Sequence, residues 1–262
     1  MTHEPDKTAY PGRVALSIPN GEILVGSDAH FWPGPRSTAW RAFVKFAKER
    51  APRAIIFNGD ALDASTISRH APIGWEKRPS LAEELEVCQE RMHELVMAMP
   101  RSTKRVWTLG NHDARFETRL ASVAPEFKGV AGVHLKDQFP DWPPAWSVWV
   151  NGNTVIKHRC KGGVNAAQLN AISSGMSMVT GHLHAARVSA YTDYLGTRYG
   201  VDAGMLGDPW HRAFTDYTED GPKNWRSGFS VLTYKNNRLL CPELVLVWDD
   251  NHVEWRGNII KT

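Results

Sequence analysis

Five short stretches of this sequence hold residue types that could do chemistry together. They are Asp28 and His30 in D-x-H, Asp60 and Asp63 in G-D-x-x-D, and Asn111, His112 and Asp113 in G-N-H-D. A single His158 follows, then His182 and His184 in G-H-x-H. Carboxylate oxygens, imidazole nitrogens and an amide oxygen are suitable ligands for divalent manganese, iron or zinc. Cys88, Cys160 and Cys241 are far apart and form no paired motif, which argues against a structural zinc knot and a disulfide framework. Taken alone, an Asp or Asn at a strand end is more often a turn or cap residue than a ligand. The five stretches together outweigh that reading. Arg115, Arg159 and Lys161 stand beside them as candidate contacts to an anionic substrate, although a solvated helix-start charge explains Arg115 equally well.

Strands must position these residues. The segments EILVGSD (22–28), RAIIFNGD (53–60) and RVWTLGNHD (105–113) each read as a short apolar run ending in polar residues. Two helical patterns separate them. In residues 37–50, Ser37 is placed to cap, and Trp40, Phe43, Val44 and Ala47 share one face. The next helix opens with the capping box Ser80–Glu83 and stops before Pro100. It carries Leu85, Cys88, Met92, Leu95, Val96 and Met99 on one face. Strand, helix, strand, helix, strand predicts a parallel sheet with crossover helices, and ligands bind outside the carboxyl ends of such strands. Glycines before Asp60, Asn111 and His182 would allow a close backbone approach there. The second half reads as a hairpin around Asn151-Gly152, then strand-like GFSVLTY, LLCPELVLVW and HVEW. The expected architecture is α/β, two sheets face to face with helices outside. Residues 1–20 form an N-terminal extension and 21–262 a single domain.

A chain of 262 residues, 42% hydrophobic and 23% charged, suits one globular domain of this size. Its formal net charge of +3 is compatible with an anionic substrate and far from the signature of a dedicated nucleic-acid coat. The first residues lack the apolar core of a signal peptide, and no run approaches membrane-spanning length. A reduced, cytoplasmic protein without membrane attachment is expected. Nothing in the sequence specifies an oligomeric state.

The ordered set D-x-H, G-D-x-x-D, G-N-H-D, H and G-H-x-H resembles the calcineurin-like metallophosphoesterase superfamily, in its bacterial, phage or nuclease-like branch. That resemblance implies a four-layer α/β/β/α sandwich, two mixed β-sheets flanked by helices. It also implies a centre of two divalent ions, Mn2+ first, with Fe, Zn, Ni or Mg as alternatives. Carried over position by position, Asp28, His30, Asp60 and His184 would hold one ion. Asp60, Asn111, His158 and His182 would hold the other, with Asp60 bridging. His134 in GVHLKD is the alternative to His158, where HRCKGG replaces the usual H-G. His112 would protonate the leaving group with Asp113 orienting its ring, and Asp63 would support the site.

Two cations roughly 3.5–4 Å apart deprotonate a bridging water and neutralise phosphoryl oxygens during in-line attack. Ala64 and Asp113 stand where protein phosphatases of the superfamily carry arginine and glutamate, which argues against that substrate class. Phosphodiester hydrolysis, on a nucleotide or nucleic acid, is the favoured expectation, with phosphomonoester hydrolysis second. A non-catalytic metal-binding scaffold ranks third, because Asp60, Asn111 and His112 are all present. Trp32, Trp75 and Trp210 are candidates for base stacking, whereas Trp107, Trp146 and Trp149 lie in strand-like runs and are expected to pack in the sheets.

Overall fold

The computed structural model describes residues 10–69, 75, 77–211, 214, 218 and 224–262. In chain order the strands begin with β1 (Val14–Leu16), β2 (Gly21–Gly26), β3 (Ala54–Asn58), β4 (Lys104–Thr108) and β5 (Pro144–Ala145). They continue with β6 (Val148–Val150), β7 (Thr154–Ile156), β8 (Ser177–Thr180), β9 (Arg187–Asp193) and β10 (Gly196–Asp202). The last five are β11 (Gly228–Lys235), β12 (Arg238–Leu239), β13 (Glu243–Asp249), β14 (His252–Trp255) and β15 (Asn258–Lys261). The α-helices are α1 (Thr38–Arg50), α2 (Leu81–Ala98), α3 (Asp113–Val123), α4 (Leu135–Gln138) and α5 (Ala166–Ser174).

The larger sheet runs β15-β14-β13-β11-β2-β3-β4-β5, with β12 paired to β11. From β2 to β5 it is parallel, and from β15 to β2 antiparallel. The smaller sheet runs β1-β6-β7-β8-β10-β9 and is also mixed. Alternation along the central strands divides one apolar run between two cores. Leu24, Ile55, Phe57 and Trp107 face α1 and α2. Their neighbours Ile23, Val25, Ile56 and Val106 meet Val148, Val150, Ile156 and Val179 of the smaller sheet. Helix α5 buries Ala166, Ala167 and Ala171 against the outer face of that smaller sheet. The architecture is thus the α/β/β/α sandwich with two mixed sheets.

Local chemistry sets the crossover helices. The Ser37 hydroxyl accepts from Trp40 N–H at 3.1 Å, and Ala51 ends α1 in a left-handed conformation. The box at Ser80 is formed on both sides, with Ser80 N–H donating to Glu83 at 2.8 Å and Glu83 N–H to the Ser80 hydroxyl at 3.3 Å. Trp40, Phe43, Ala47, Cys88, Met92 and Leu95 are buried, while Val44, Leu85 and Val96 are half-buried. Glu84 and Arg91 are buried as well. Glu84 earns its place by accepting from Ser65 N–H at 3.1 Å, which pins the loop after β3.

Strand β1 lies inside the stretch read from sequence as an N-terminal extension, yet it pairs with β6, Val14 opposite Val148. Residues 1–9 of that extension lie outside the described residues. Trp107 is fully buried, Trp146 and Trp149 are half-buried, and the Arg13 guanidinium sits 3.5 Å over the Trp149 ring. Among the described residues, no helix is long and apolar enough to cross a membrane.

Candidate metal centre

All five motif stretches emerge from the carboxyl ends of strands. Asp28 and His30 follow β2, Asp60 and Asp63 follow β3, and Asn111 to Asp113 follow β4 and open α3. His158 follows β7, and His182 and His184 follow β8. Asp28, His30 and His184 form one group of donors, and Asp60, His158 and His182 another, each with ligand atoms within 4.8 Å of one another. The groups adjoin. His158 Nε2 lies 3.0 Å from Asp60 Oδ2 and 3.9 Å from Asp28 Oδ1. His184 Nε2 lies 3.1 Å from Asp28 Oδ1.

Buried polar atoms are almost always paired. Here His30 Nε2, His184 Nδ1 and Asn111 Oδ1 are buried without a hydrogen-bond partner, and His158 Nε2 faces the Asp60 carboxylate at 3.0 Å. The opposite nitrogens explain the pattern in two of these rings. His158 Nδ1 is 2.8 Å from the Asn58 carbonyl and His30 Nδ1 is 3.1 Å from Asp63, so each ring aims its Nε2 inward. This is how histidine ligands are oriented in metal sites. The donors therefore fit divalent cations.

Charge points the same way. Burial opposes ionisation of Asp60 and Asp28, but neighbouring histidines outweigh it and hold both carboxyls below the usual range. Burial also opposes a charge on His158, yet Asp60 and Asp28 push its pKa up to about 10. Burial pulls His30 down, and burial together with His158 pulls His182 down. A proton and a metal ion compete for the same lone pairs.

The backbone is bent to make this possible. Asp28, His30, Asp60, His182 and His184 have φ of 54°, 42°, 53°, 72° and 58°, a region uncommon for residues with a Cβ. Three glycines permit the close approach, and a Cβ on Gly59 would stand 2.3 Å from His158 Nδ1. A Cβ on Gly110 would stand 2.0 Å from Asp60 Oδ1, and one on Gly181 would stand 1.8 Å from Ser27 Oγ.

The ring of His112 is oriented by Asp63 and not by Asp113. His112 Nδ1 is 2.6 Å from Asp63 Oδ1, while its N–H donates to Asp60 Oδ1 at 2.8 Å. Asp113 is fully buried and accepts from the N–H groups of Asp60 and Gly110, both at 2.8 Å, and Leu62 at 3.0 Å. Its fourth donor is the Trp107 indole at 3.2 Å. As the first residue of α3, Asp113 turns back beneath the loops and ties them together. Asp63 also contacts His30, which places it between the proton-donor candidate and the ligand group.

Arg115 donates to the Asp63 carbonyl at 3.0 Å and lies 3.2 Å from His112 Nε2. Arg159 is exposed, and its charge reaches His182. Lys161 is exposed, with its backbone N–H on Asn170. His134 lies apart from the donors, 3.3 Å from Glu117 and with Nε2 on the Lys128 carbonyl, so His158 is the histidine that joins the cluster. Two rings that the sequence reading missed pack on the donors: Phe214 lies 5.2 Å from His30, and Trp225 lies 4.5 Å from His184. Only their aromatic character could have drawn attention to them, since no motif surrounds either. Trp32 meets His211 edge-on, and Trp75 is fully exposed.

Residues 21–185 match the model of the family described as calcineurin-like phosphoesterase. The Gene 54 proteins of Mycobacterium phages D29 and L5 are 26% and 25% identical to this chain. The alignments extend over 250 and 252 residues, and each covers 85% of the chain and 92% of the relative. Among solved structures, wild-type Vps29 from Entamoeba histolytica complexed with Zn2+ aligns with a TM-score of 0.46 and 10% identity, covering 91% of this chain and 96% of that one. A protein serine/threonine phosphatase from Saccharomyces cerevisiae, with similarity to human phosphatase PP5, aligns with a TM-score of 0.39 and 13% identity. That alignment covers 86% of this chain and 76% of that one.

Proposed function

Because this chain belongs to the calcineurin-like phosphoesterase family, we propose that it hydrolyses phosphodiesters at a centre of two divalent ions, with manganese the best activator. The observation that carries this reading is the convergence of His30, His158, His182 and His184 on two buried, ionised aspartates, Asp28 and Asp60. Asp28, His30 and His184 would hold one ion and Asn111, His158 and His182 the other, with Asp60 shared. When bound, such a pair lowers the pKa of water and offsets phosphoryl charge.

The chain's own groups do the rest. Burial works against a proton on His112, but Asp60 and Asp63 outweigh it and raise its pKa, which suits a donor of a proton to the leaving oxygen. Asp63 fixes the ring through Nδ1, and Nε2, which faces the Arg115 guanidinium at 3.2 Å, would hold that proton once Arg115 turns to the phosphoryl group. Arg115, anchored on the Asp63 carbonyl beside Nε2, would receive a non-bridging phosphoryl oxygen. Arg159 adds positive charge on the His182 side. Asp113 keeps the two loops in register.

A diester needs room on both sides of phosphorus. A pocket of about 110 Å³ lies against His30 and shares Arg36, Ser37 and Asp208 with a larger cleft, which favours a diester over a terminal phosphate. Three free cysteines support a reducing, cytoplasmic setting. The deciding experiment reconstitutes the protein with Mn2+ and compares bis(p-nitrophenyl) phosphate with p-nitrophenyl phosphate. A higher kcat/KM for the diester is expected. A tenfold preference for the monoester makes the protein a phosphomonoesterase, and inactivity on both with metal bound makes it a scaffold.

A further inference from the structure

The larger cleft, of about 540 Å³, has three tryptophans in its lining: Trp210, Trp225 and Trp248. Trp210 is 78% exposed and Trp248 is 63% exposed, a large aromatic surface to leave in water. Trp225 forms the joint with the donors, since its ring packs on His184 and the next residue, Arg226, donates its N–H to the His184 carbonyl at 2.7 Å. The opposite route, through the small pocket, reaches His30. The cleft therefore adjoins two of the proposed donors of one ion, His184 through Trp225 and His30 through the small pocket.

Its lining carries both signs of charge. Arg36, Arg41 and Arg226 face Asp208, Asp249 and Asp250 in the same lining. Arg36 is bound to Glu94 at 2.9 Å, which removes it as a free phosphate contact. With Arg36 so occupied, a lining of two guanidiniums and three carboxylates is poorly suited to a run of phosphates and well suited to a neutral, flat ring whose edge carries both donors and acceptors. We propose that this cleft binds the nucleobase of a nucleoside phosphate ester while the phosphate lies at the metal centre. The placement of the phosphate rests on the phosphoesterase reading, and the base site stands apart from it. Base stacking on tryptophan tolerates any base, so selectivity among bases would come from Arg226 and the aspartates.

The test uses the full chain loaded with Mn2+ and two readouts. Equilibrium binding compares adenosine 5′-monophosphate with ribose 5-phosphate, which share the phosphate and differ by the base. The nucleotide should bind at least tenfold more tightly, and Trp210→Ala and Trp248→Ala should each weaken it roughly five- to hundredfold. Steady-state kinetics then compare thymidine 5′-(p-nitrophenyl phosphate) with methyl p-nitrophenyl phosphate, which have the same leaving group. The nucleoside ester should show the lower KM, and the variants should lose that preference. Equal binding of the two phosphates, or full nucleotide affinity in the Trp210→Ala/Trp248→Ala double variant, overturns the proposal. No turnover of either ester, with tryptophan-dependent nucleotide binding intact, overturns the catalytic reading and leaves the base site standing. A ten-residue deoxyadenylate separates the sources. Tighter, salt-sensitive binding than the mononucleotide identifies a strand end, equal binding identifies a free nucleotide, and binding of neither refutes the site.

Discussion

Asp113 and Asp63 offer a sharp test, because chain adjacency and geometry assign them opposite jobs. Asp113 accepts four hydrogen bonds from buried donors that belong to the loops after β3 and β4. Asp113→Ala orphans all four, and each buried unsatisfied donor costs about 1–3 kcal/mol. Even at the low end this gives about 4 kcal/mol, or about a 10 °C fall in Tm for a chain of this size. Asp113→Asn keeps an acceptor for the three donors on Oδ2 but turns its NH2 toward Leu62 N–H, which costs about 2 kcal/mol. Asp63→Asn can keep both ring contacts on Oδ1 and removes the charge that His112 and His30 face, at a side chain 16% exposed. It should shift Tm by less than about 3 °C while lowering kcat about 10²-fold, the scale of a misplaced reacting group. The pH profile distinguishes them further. His112 must be protonated to donate, so activity is lost as pH rises through its pKa, which Asp60 and Asp63 raise. Asp63→Asn should move that alkaline limb to lower pH. Thermal melts and kcat–pH profiles of the metal-loaded variants decide. An unchanged Tm in Asp113→Asn together with a limb displaced as far as in Asp63→Asn would refute the division of labour.

Elemental analysis after Mn2+ loading should find two ions per chain, fewer as pH falls and the histidines protonate, and EDTA should abolish turnover; a single ion that withstands EDTA contradicts the shared aspartate. Gly110→Ala, whose new methyl would meet Asp60 Oδ1 at 2.0 Å and the Asp60 backbone nitrogen at 2.6 Å, should cost metal binding as well as Tm; normal metal content in that variant argues against the packing of these two loops. Burial raises the Glu84 pKa, with Asp63 adding to it, so its contribution to stability is complete below the usual carboxyl range and is lost as pH rises through the folded value. Melts of the wild type and Glu84→Gln from pH 7 to pH 5 should therefore move in favour of the wild type, and a constant difference would show that Glu84 is not strained by burial.

The strand ends were legible because each motif follows an apolar run short enough to be a strand and long enough to show its period. The helices were legible from caps and faces, and the Ser80 box formed as read. What was not legible came from contacts between loops. His112 and Asp63 are separated by 49 residues, so chain proximity pointed to Asp113 instead. Glu84 is buried because the loop after β3, 19 residues upstream, supplies its partners in the Ser65 N–H and hydroxyl. Strand β1 has three residues, too few for alternation to register, and it exists because β6 offers an edge.

Five of the seven proposed ligands adopt a left-handed backbone that glycine would take at no steric cost, and none is glycine. Each such residue stores strain on the order of 1–3 kcal/mol and persists only where its surroundings over-determine it. Here the restraints are visible. Asp28 N–H donates to the Gly59 carbonyl at 2.9 Å, His30 N–H to the Asp60 carbonyl at 3.0 Å, and His182 N–H to Asp28 Oδ2 at 2.9 Å. Each bond runs between two of the motif stretches, so the same contacts that hold the strained turns also set the spacing of the donors. Propensity scales would assign glycine to these positions, and glycine would relax the backbone while removing a ligand. The residues that look wrong for their conformation are therefore the ones on which the proposed chemistry depends.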